Sequence, residues 1–140
     1  MNAAITRETE RQDSVASEIR EKIIRFNVEQ AGEPHDARVV LSVRNSKGDL
    51  IGGLVAIGFW NSLFIDLVWI DEAHRRRGIG RSLMHAAESE ARSKGWEVCF
   101  LSTFSFQAPD FYKKLGYEPF GELKGTPRGH SRTWFAKWLK

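Results

Sequence analysis

The chain has 140 residues, of which 41% are hydrophobic, and its 21 lysine and arginine residues exceed its 18 acidic residues by only three. This composition is typical of one folded domain over residues 1–140, with a polar, flexible segment at 1–13. So small a net charge does not indicate a nucleic-acid partner. No apolar run approaches the ~18 residues of a membrane span, and no secretion signal is recognisable. Because its single cysteine, Cys99, lies in an apolar run, we expect a buried, reduced thiol and a cytoplasmic protein.

The first half of the chain predicts one helix followed by three strands. Four apolar residues recur at helical spacing in the first segment: Val15, Ile19, Ile23 and Phe26. This helix is expected to end near Gly32. β-Branched and apolar runs, separated by turn residues, then predict strands over 38–44, 50–60 and 63–70.

The second half predicts a strand-helix-strand unit. Its central helix spans residues 79–94 and ends at Gly95. The apolar face of this helix is expected to consist of Ile79, Leu83, Ala86, Ala87 and Ala91. A strand over 96–103 should then pair in parallel with 63–70 through a right-handed connection. A short helix over 109–114 and strands over 117–123 and 131–138 complete the chain.

The turn between the strand at 63–70 and the helix at 79–94 is the most informative segment. It contains Gly78 and Gly80 together with four arginines, Arg75, Arg76, Arg77 and Arg81. Glycine lets a backbone N–H approach an anion, and a first helical turn offers unpaired N–H donors at the positive end of the helix dipole. The turn therefore predicts a site for a phosphorylated cofactor. A solvated basic patch and a nucleic-acid contact are the alternative interpretations.

The spacing Arg75-x-x-Gly78-x-Gly80, followed further along by the run from Phe111 to Tyr117, resembles the GNAT superfamily of acetyl-CoA-dependent N-acetyltransferases. The resemblance covers residues 38–138. It implies a mixed α/β fold of the GNAT acyl-CoA N-acyltransferase type, with a twisted, mostly antiparallel sheet, splayed central parallel strands and helices on both faces. It also implies acetyl-CoA as the co-substrate, whose acetyl group passes to a primary amine by direct attack on the thioester.

The resemblance implies a set of cofactor contacts. The backbone from Arg75 to Gly80 would wrap the pyrophosphate, and free backbone groups of the preceding strand would pair with the pantetheine arm. The N–H of Val68 would polarise the thioester carbonyl. The implied cofactor-binding residues are Val68, Trp69, Ile70, Arg75, Arg76, Arg77, Gly78, Ile79, Gly80, Arg81 and Ser105. Two residues depart from the family pattern, because Ser105 replaces a common asparagine and Arg76 replaces a usual glycine.

Two residues are candidates for catalysis. Tyr112 matches the tyrosine that GNAT enzymes often use as general acid, and an ordinary pKa of about 10 keeps a tyrosine protonated at neutral pH. Its alternative role is that of a core aromatic. Asp66 shares strand parity with Val68 and Ile70, and we interpret it either as a general base or as an anchor or salt-bridge partner. Trp60 and His130 are weaker candidates for the acceptor pocket.

Several functional questions stay open at the level of sequence. The four histidines and one cysteine show no metal-ligand spacing, so no metal is predicted. The acceptor is a small-molecule or protein amine of unknown identity, and pairing of edge strands would permit a homodimer. A non-catalytic acyl-CoA-binding regulatory protein is the alternative to an enzyme. A nucleic-acid-binding module that uses the arginine run is a third hypothesis.

Overall fold

The computed structural model describes residues 3–140, which form two compact parts divided after Pro34. The first part contains helix α1, Gln12–Ala31, and the N–H of Gly32 closes it on the Val28 carbonyl at 2.9 Å. No residue of α1 is buried. The predicted N-terminal helix is confirmed. Residues 1 and 2 of the predicted flexible segment lie outside the described residues.

The second part, His35–Lys140, contains six strands and two further helices. Their bounds are β1 Ala37–Arg44, β2 Leu50–Phe59, β3 Ser62–Ile70, α2 Ile79–Lys94, β4 Val98–Phe104, α3 Pro109–Lys114, β5 Glu118–Lys124 and β6 Ser131–Trp138, with a single 3-10 turn at Glu72–His74. The predicted bounds of α2, α3 and β6 are confirmed, and the other strands start or stop within two residues of the prediction. None of the helices in residues 3–140 combines the length and apolar character needed to cross a bilayer.

The six strands form one sheet in the order β1-β2-β3-β4-β6-β5. All neighbours are antiparallel except β3 and β4. The parallel pairing extends over three residue pairs, from Ser62 with Val98 to Phe64 with Phe100. Beyond Phe64 the two strands separate. The mixed, mostly antiparallel sheet with splayed central parallel strands is thus confirmed.

The core of the second part lies between α2, α3 and one face of the sheet. Its largest fully buried side chains are Phe135, Leu54, Leu63, Met84, Leu101 and Cys99. Cys99 is fully buried, which confirms the predicted buried cysteine. Its burial raises the pKa of the thiol to about 11. The buried face of α2 differs from the prediction at three residues: Ala86 is exposed, whereas Met84 and Glu88 are buried.

Glu88 is buried because both of its carboxylate oxygens are paired. Tyr117 Oη donates a hydrogen bond to Oε2 at 2.8 Å, and Lys137 Nζ lies 2.9 Å from Oε1. Only 2% of Glu88 is exposed. A buried carboxylate needs such partners to offset its lost hydration. These partners come from other elements of the chain, so the helical pattern of α2 alone could not reveal them.

Candidate active site

A cavity of about 1030 Å³ opens where β3 and β4 separate, bordered by the N-terminus of α2 and by α3. Eleven of the residues that the sequence singled out line it: Asp66, Val68, Trp69, Ile70, Arg75, Arg76, Gly78, Ile79, Gly80, Arg81 and Tyr112. The cavity lies at the carboxyl ends of the two parallel strands. The motif residues from two separate stretches of sequence therefore border one space.

The turn before α2 leaves three backbone donors available. Gly78, the residue before the helix, has a left-handed φ of 81°, and the N–H of Ser82 bonds the Gly78 carbonyl at 3.0 Å. The preceding N–H groups, of Ile79, Gly80 and Arg81, have no acceptor within residues 3–140. Free N–H groups at the positive end of a helix dipole form a site for a phosphate.

The two glycines of this turn are required for different reasons. A Cβ at position 78 would meet nothing within 4 Å, so space does not require glycine there. The positive φ of Gly78 does, because other residues rarely adopt it. A Cβ at Gly80 would lie 3.1 Å from Phe111 Cζ. Gly80 therefore allows α2 to pack closely against α3, a role that anion access alone did not predict.

The basic residues of the turn have separate surroundings. Arg75 Nε donates to the Ile70 carbonyl at 3.2 Å, which fixes the turn to the end of β3. Arg76 has a left-handed φ of 64°, the conformation that glycine adopts most easily. Arg77 is exposed and does not border the cavity, unlike the other three arginines. Lys114, at the end of α3, borders the cavity and was missed by sequence reasoning, because its neighbours in sequence form an ordinary helix end.

The edge of β3 that faces β4 carries unpaired backbone groups beyond Phe64, where the two strands separate. The N–H of Asp71 bonds the Ile51 carbonyl at 2.8 Å, so Asp71 faces β2. Hydrogen-bonded residues alternate along an antiparallel strand, and Val68 and Ile70 therefore direct their backbone groups away from β2, toward the cavity. The Ile70 carbonyl already accepts a hydrogen bond from Arg75 Nε. The N–H and carbonyl of Val68 stay available, as the sequence interpretation required.

Asp66 lies at a β-bulge. Val55 of β2 is opposite Leu67, while the next residue, Ala56, is opposite Ile65, so Asp66 is the extra residue of β3. A bulge interrupts the alternation of side chains, and the parity argument that linked Asp66 to Val68 does not hold across it. Asp66 is nevertheless exposed and borders the cavity.

Tyr112 belongs both to the core and to the cavity wall. It is 8% exposed and packs edge-on against Phe111 and Tyr117, with ring centroids 5.0 and 6.2 Å away. Burial raises its pKa to about 12. Its hydroxyl has no hydrogen-bond partner within residues 3–140, where no side-chain oxygen or nitrogen is both buried and unpaired. The hydroxyl is therefore reached by solvent through the cavity.

Ser105 does not border the cavity, although the resemblance implied a cofactor contact there. Its hydroxyl accepts the Ser131 N–H at 3.0 Å, and its own N–H donates to the Ser131 carbonyl at 2.8 Å. The cavity is bordered instead by Gln107, whose Oε1 accepts the Phe104 N–H at 2.8 Å. No sequence motif marks Gln107, because only the fold of this turn brings its amide to the cavity wall.

The weaker acceptor candidates are separated by the length of the sheet. Trp60 lies in the turn before β3, at the opposite end of that strand from the cavity, and packs against Phe59. Trp60 therefore does not border this cavity. His130 does not line the cavity itself, but its ring lies edge-on to Phe106, which does, at a centroid distance of 5.0 Å.

Residues 36–119 match the family profile described as an acetyltransferase (GNAT) domain. This chain belongs to the GNAT acetyltransferase family. It is 30% identical over 119 residues to an acetyltransferase of Agrobacterium fabrum, a match that covers 85% of this chain and 87% of that protein. A second relative, the blasticidin-S acetyltransferase of Streptomyces morookaense, is 38% identical over 84 residues, which are 59% of this chain and 62% of that protein.

A crystal structure of an acetyltransferase from Bacillus cereus superimposes on this GNAT chain with a TM-score of 0.89. The two are 35% identical, and the match covers 98% of both chains. The resemblance stated from the motifs is thereby confirmed, and this GNAT protein is an acyltransferase.

Proposed function

We propose that this GNAT chain transfers the acetyl group of acetyl-CoA to a primary amine by direct attack of the amine on the thioester. The observation that carries the proposal is a shared cavity: the phosphate-binding turn, the unpaired backbone edge of β3 and the Tyr112 hydroxyl all border it. These are the three features that an acyl-CoA transferase needs in one place.

The residues present fit acetyl-CoA. Three unpaired N–H groups at the start of α2 suit the pyrophosphate, and the side chains of Arg76, Arg81 and Lys114 add positive charge along the wall. The Val68 backbone suits the amides of the pantetheine arm. When bound, acetyl-CoA would supply an activated acetyl thioester.

The chain's own residues then perform three tasks. The N–H of Val68 donates to the thioester carbonyl oxygen as negative charge develops there. Tyr112 donates its proton to the departing sulfur, and a pKa of about 12 keeps that proton in place at neutral pH. Asp66 either holds the acceptor ammonium or takes the proton that the nitrogen must lose. Starting from the neutral amine, a C–N bond forms and the C–S bond breaks, while the nitrogen loses one proton to Asp66 or water and Tyr112 supplies one proton to the sulfur. An acceptor that binds as an ammonium first loses one further proton to water.

The proposed acceptor is a small-molecule amine, with a protein amine as the alternative. The relative named for blasticidin S supports this class, because its name identifies a small molecule as the acceptor. Specificity within a fold depends on the local site, so that name does not transfer blasticidin S itself to this chain.

The test is coenzyme A release in the presence of acetyl-CoA and a panel of small amines. We expect turnover by the wild type and a loss of about 10²-fold in kcat for Tyr112→Phe, with acetyl-CoA affinity retained. Tyr117→Phe is the matched control, because Tyr117 bonds Glu88 in the core and does not border the cavity. Full turnover by Tyr112→Phe would remove its role as acid. A protein that binds acetyl-CoA but acetylates no amine would refute the proposed transfer.

A further inference from the structure

We propose that the acceptor carries a carboxylate as well as its amine, and that Arg132 recognises this carboxylate. The inference rests on the proposed N-acetyltransfer and names the chemical class of its acceptor. Neither the motifs nor the family resemblance singles out this side chain.

Arg132 of β6 is held in one orientation. Its Nε donates to Ser102 Oγ at 2.8 Å. Its guanidinium carbon lies 5.2 Å from the ring centroid of Phe104 and 4.7 Å from that of Trp134. A hydrogen bond and two aromatic contacts fix the plane of a guanidinium, so little conformational entropy is lost when it binds a ligand.

This fixed guanidinium has no anionic partner. Within residues 3–140 no carboxylate oxygen lies within 4 Å of Arg132, and its two terminal nitrogens make no hydrogen bond. The other partly buried cation on β6, Lys137, is paired with Glu88. Arg132 is itself only partly exposed, and an oriented, unpaired cation of this kind is a binding site for an anion.

Arg132 does not itself line the cavity, but it is hydrogen-bonded to a residue that does. Ser102, its hydrogen-bond partner, borders the cavity and is the second residue after Phe100, the last residue of β4 that pairs with β3. Asp66, on the opposite strand, is likewise the second residue after the last pair, at Phe64. Asp66 and Ser102 therefore flank the opening. An acceptor that spans this opening from Asp66 to Ser102 would bring its far end next to Arg132, the hydrogen-bond partner of Ser102.

The chemistry of this wall favours a carboxylate over a second positive charge. The Arg132 guanidinium covers one face of Phe104 and one face of Trp134, which leaves less aromatic surface for a cationic amine. The next aromatic, Phe106, stacks on Phe104 at 5.4 Å and borders the cavity. A planar guanidinium fork matches the two oxygens of a carboxylate.

The test compares amines that differ only in a carboxylate. The probes are meta- and para-(aminomethyl)benzoate with their benzamides, and γ-aminobutyrate with its amide, because each pair keeps a similar amine. For the wild type we expect at least one acid to exceed its amide about tenfold or more in kcat/KM, mainly through KM. Arg132→Gln should reduce that ratio to near one, because kcat/KM should fall for the acid and stay unchanged for the amide. Arg132→Lys should give an intermediate ratio.

Arg128→Gln is the matched control, because Arg128 is an exposed arginine of the loop before β6 and should keep the wild-type ratio. Should Arg132→Gln not fold, Ser102→Ala keeps the charge but frees Nε, and a reduced acid preference is then expected. Equal rates for every acid and its amide, or an acid preference that survives Arg132→Gln, would overturn the inference.

If no probe is acetylated, the proposed transfer fails for this class, and calorimetry of the same probes with the coenzyme A complex decides the inference separately. Acids that bind about tenfold more tightly than their amides, with the difference lost in Arg132→Gln, would support the carboxylate site. Equal binding, or no binding of either, would refute it.

Discussion

Phe111 of α3 packs directly on Gly80 in the first turn of α2, so closely that a Cβ at position 80 would lie 3.1 Å from Phe111 Cζ. This contact joins the proposed phosphate-binding turn to the helix that carries Tyr112. The spacing between that turn and the proposed acid thus depends on the volume of a single side chain, because packed interiors transmit such changes.

Gly80→Ala should lower both stability and coenzyme A affinity. Overpacking of this kind costs about 1–3 kcal/mol of unfolding free energy. Thermal melts and calorimetry with coenzyme A measure the two effects. The double variant Gly80→Ala with Phe111→Leu should recover part of both losses, because the smaller side chain gives the new methyl group room.

Gly78→Ala provides the contrast, since a Cβ there meets nothing but the backbone keeps a φ of 81°. Its cost of about 1 kcal/mol comes from the left-handed conformation and should be the same with Phe111→Leu present. Rescue of Gly78→Ala by Phe111→Leu would contradict the separate roles of the two glycines.

Arg76→Gly should separate backbone strain from charge. Arg76 has a left-handed φ of 64°, so glycine should leave the unfolding free energy unchanged or raise it by up to about 1 kcal/mol. The lost cation should weaken coenzyme A binding, with less effect at high salt. Arg77→Gly is the control: Arg77 lies outside the cavity wall, and its replacement should leave affinity unchanged. Equal losses of affinity in both variants would contradict this assignment.

Tyr112 should act as an acid throughout the accessible pH range. Its pKa, raised by burial to about 12, keeps it protonated well above the ordinary value of about 10. Tyr112→Phe should therefore lower kcat by the same factor at every pH from about 6 to 10 without changing the shape of the profile. An alkaline decline in the wild type that disappears in Tyr112→Phe would show a Tyr112 pKa inside that range.

The raised pKa of Tyr112 also makes the stability of the fold depend on pH. Because the folded pKa lies above the unfolded one, the stabilisation is complete below about pH 10 and is lost as pH rises toward 12. Denaturant titrations between those values should show a smaller alkaline loss of unfolding free energy in Tyr112→Phe than in the wild type.

The buried ion pair of Glu88 and Lys137 should contribute more to the free energy of unfolding than an ion pair on the surface does. Lys137→Met leaves a carboxylate that is 2% exposed without its cation and should cost about 3 kcal/mol or more. Glu88→Gln keeps a partner for Tyr117 and should cost less, about 1.5–3 kcal/mol. Chemical denaturation measures both.

Lys124→Met is the matched control for that ion pair. Lys124 pairs with Glu122 at 3.8 Å on the surface, with 84% of its side chain exposed. Its removal should change the unfolding free energy by less than about 0.5 kcal/mol. Similar losses for Lys124→Met and Lys137→Met would contradict the assigned role of burial.

Local signals predicted the elements that carry the motifs. The glycine at position 95 and the basic last turn mark the end of α2, and Pro109 marks the start of α3, so both helices have the predicted bounds. The turn at Arg75 to Arg81 could be singled out from sequence because its proposed function depends on backbone chemistry, which glycine spacing indicates.

Most features that sequence reasoning missed depend on residues distant in sequence. The bulge at Asp66 exists only in relation to β2, and Glu88 is buried only because Tyr117 and Lys137 meet it. Trp60 and Phe106 look alike as aromatics near strand ends. Only the strand directions show that Phe106 borders the cavity while Trp60 lies at the other end of β3.

Binding of coenzyme A at the start of α2 and along β3 can be observed residue by residue. The experiment is a titration of the ¹⁵N-labelled protein with coenzyme A, followed by amide chemical shifts. We predict the largest shifts at Ile79, Gly80 and Arg81, with a further shift at Val68. The turn around Trp60, at the far end of β3, should not respond. If saturating coenzyme A leaves the amide chemical shifts of Ile79 to Arg81 unchanged, coenzyme A does not bind at the start of α2.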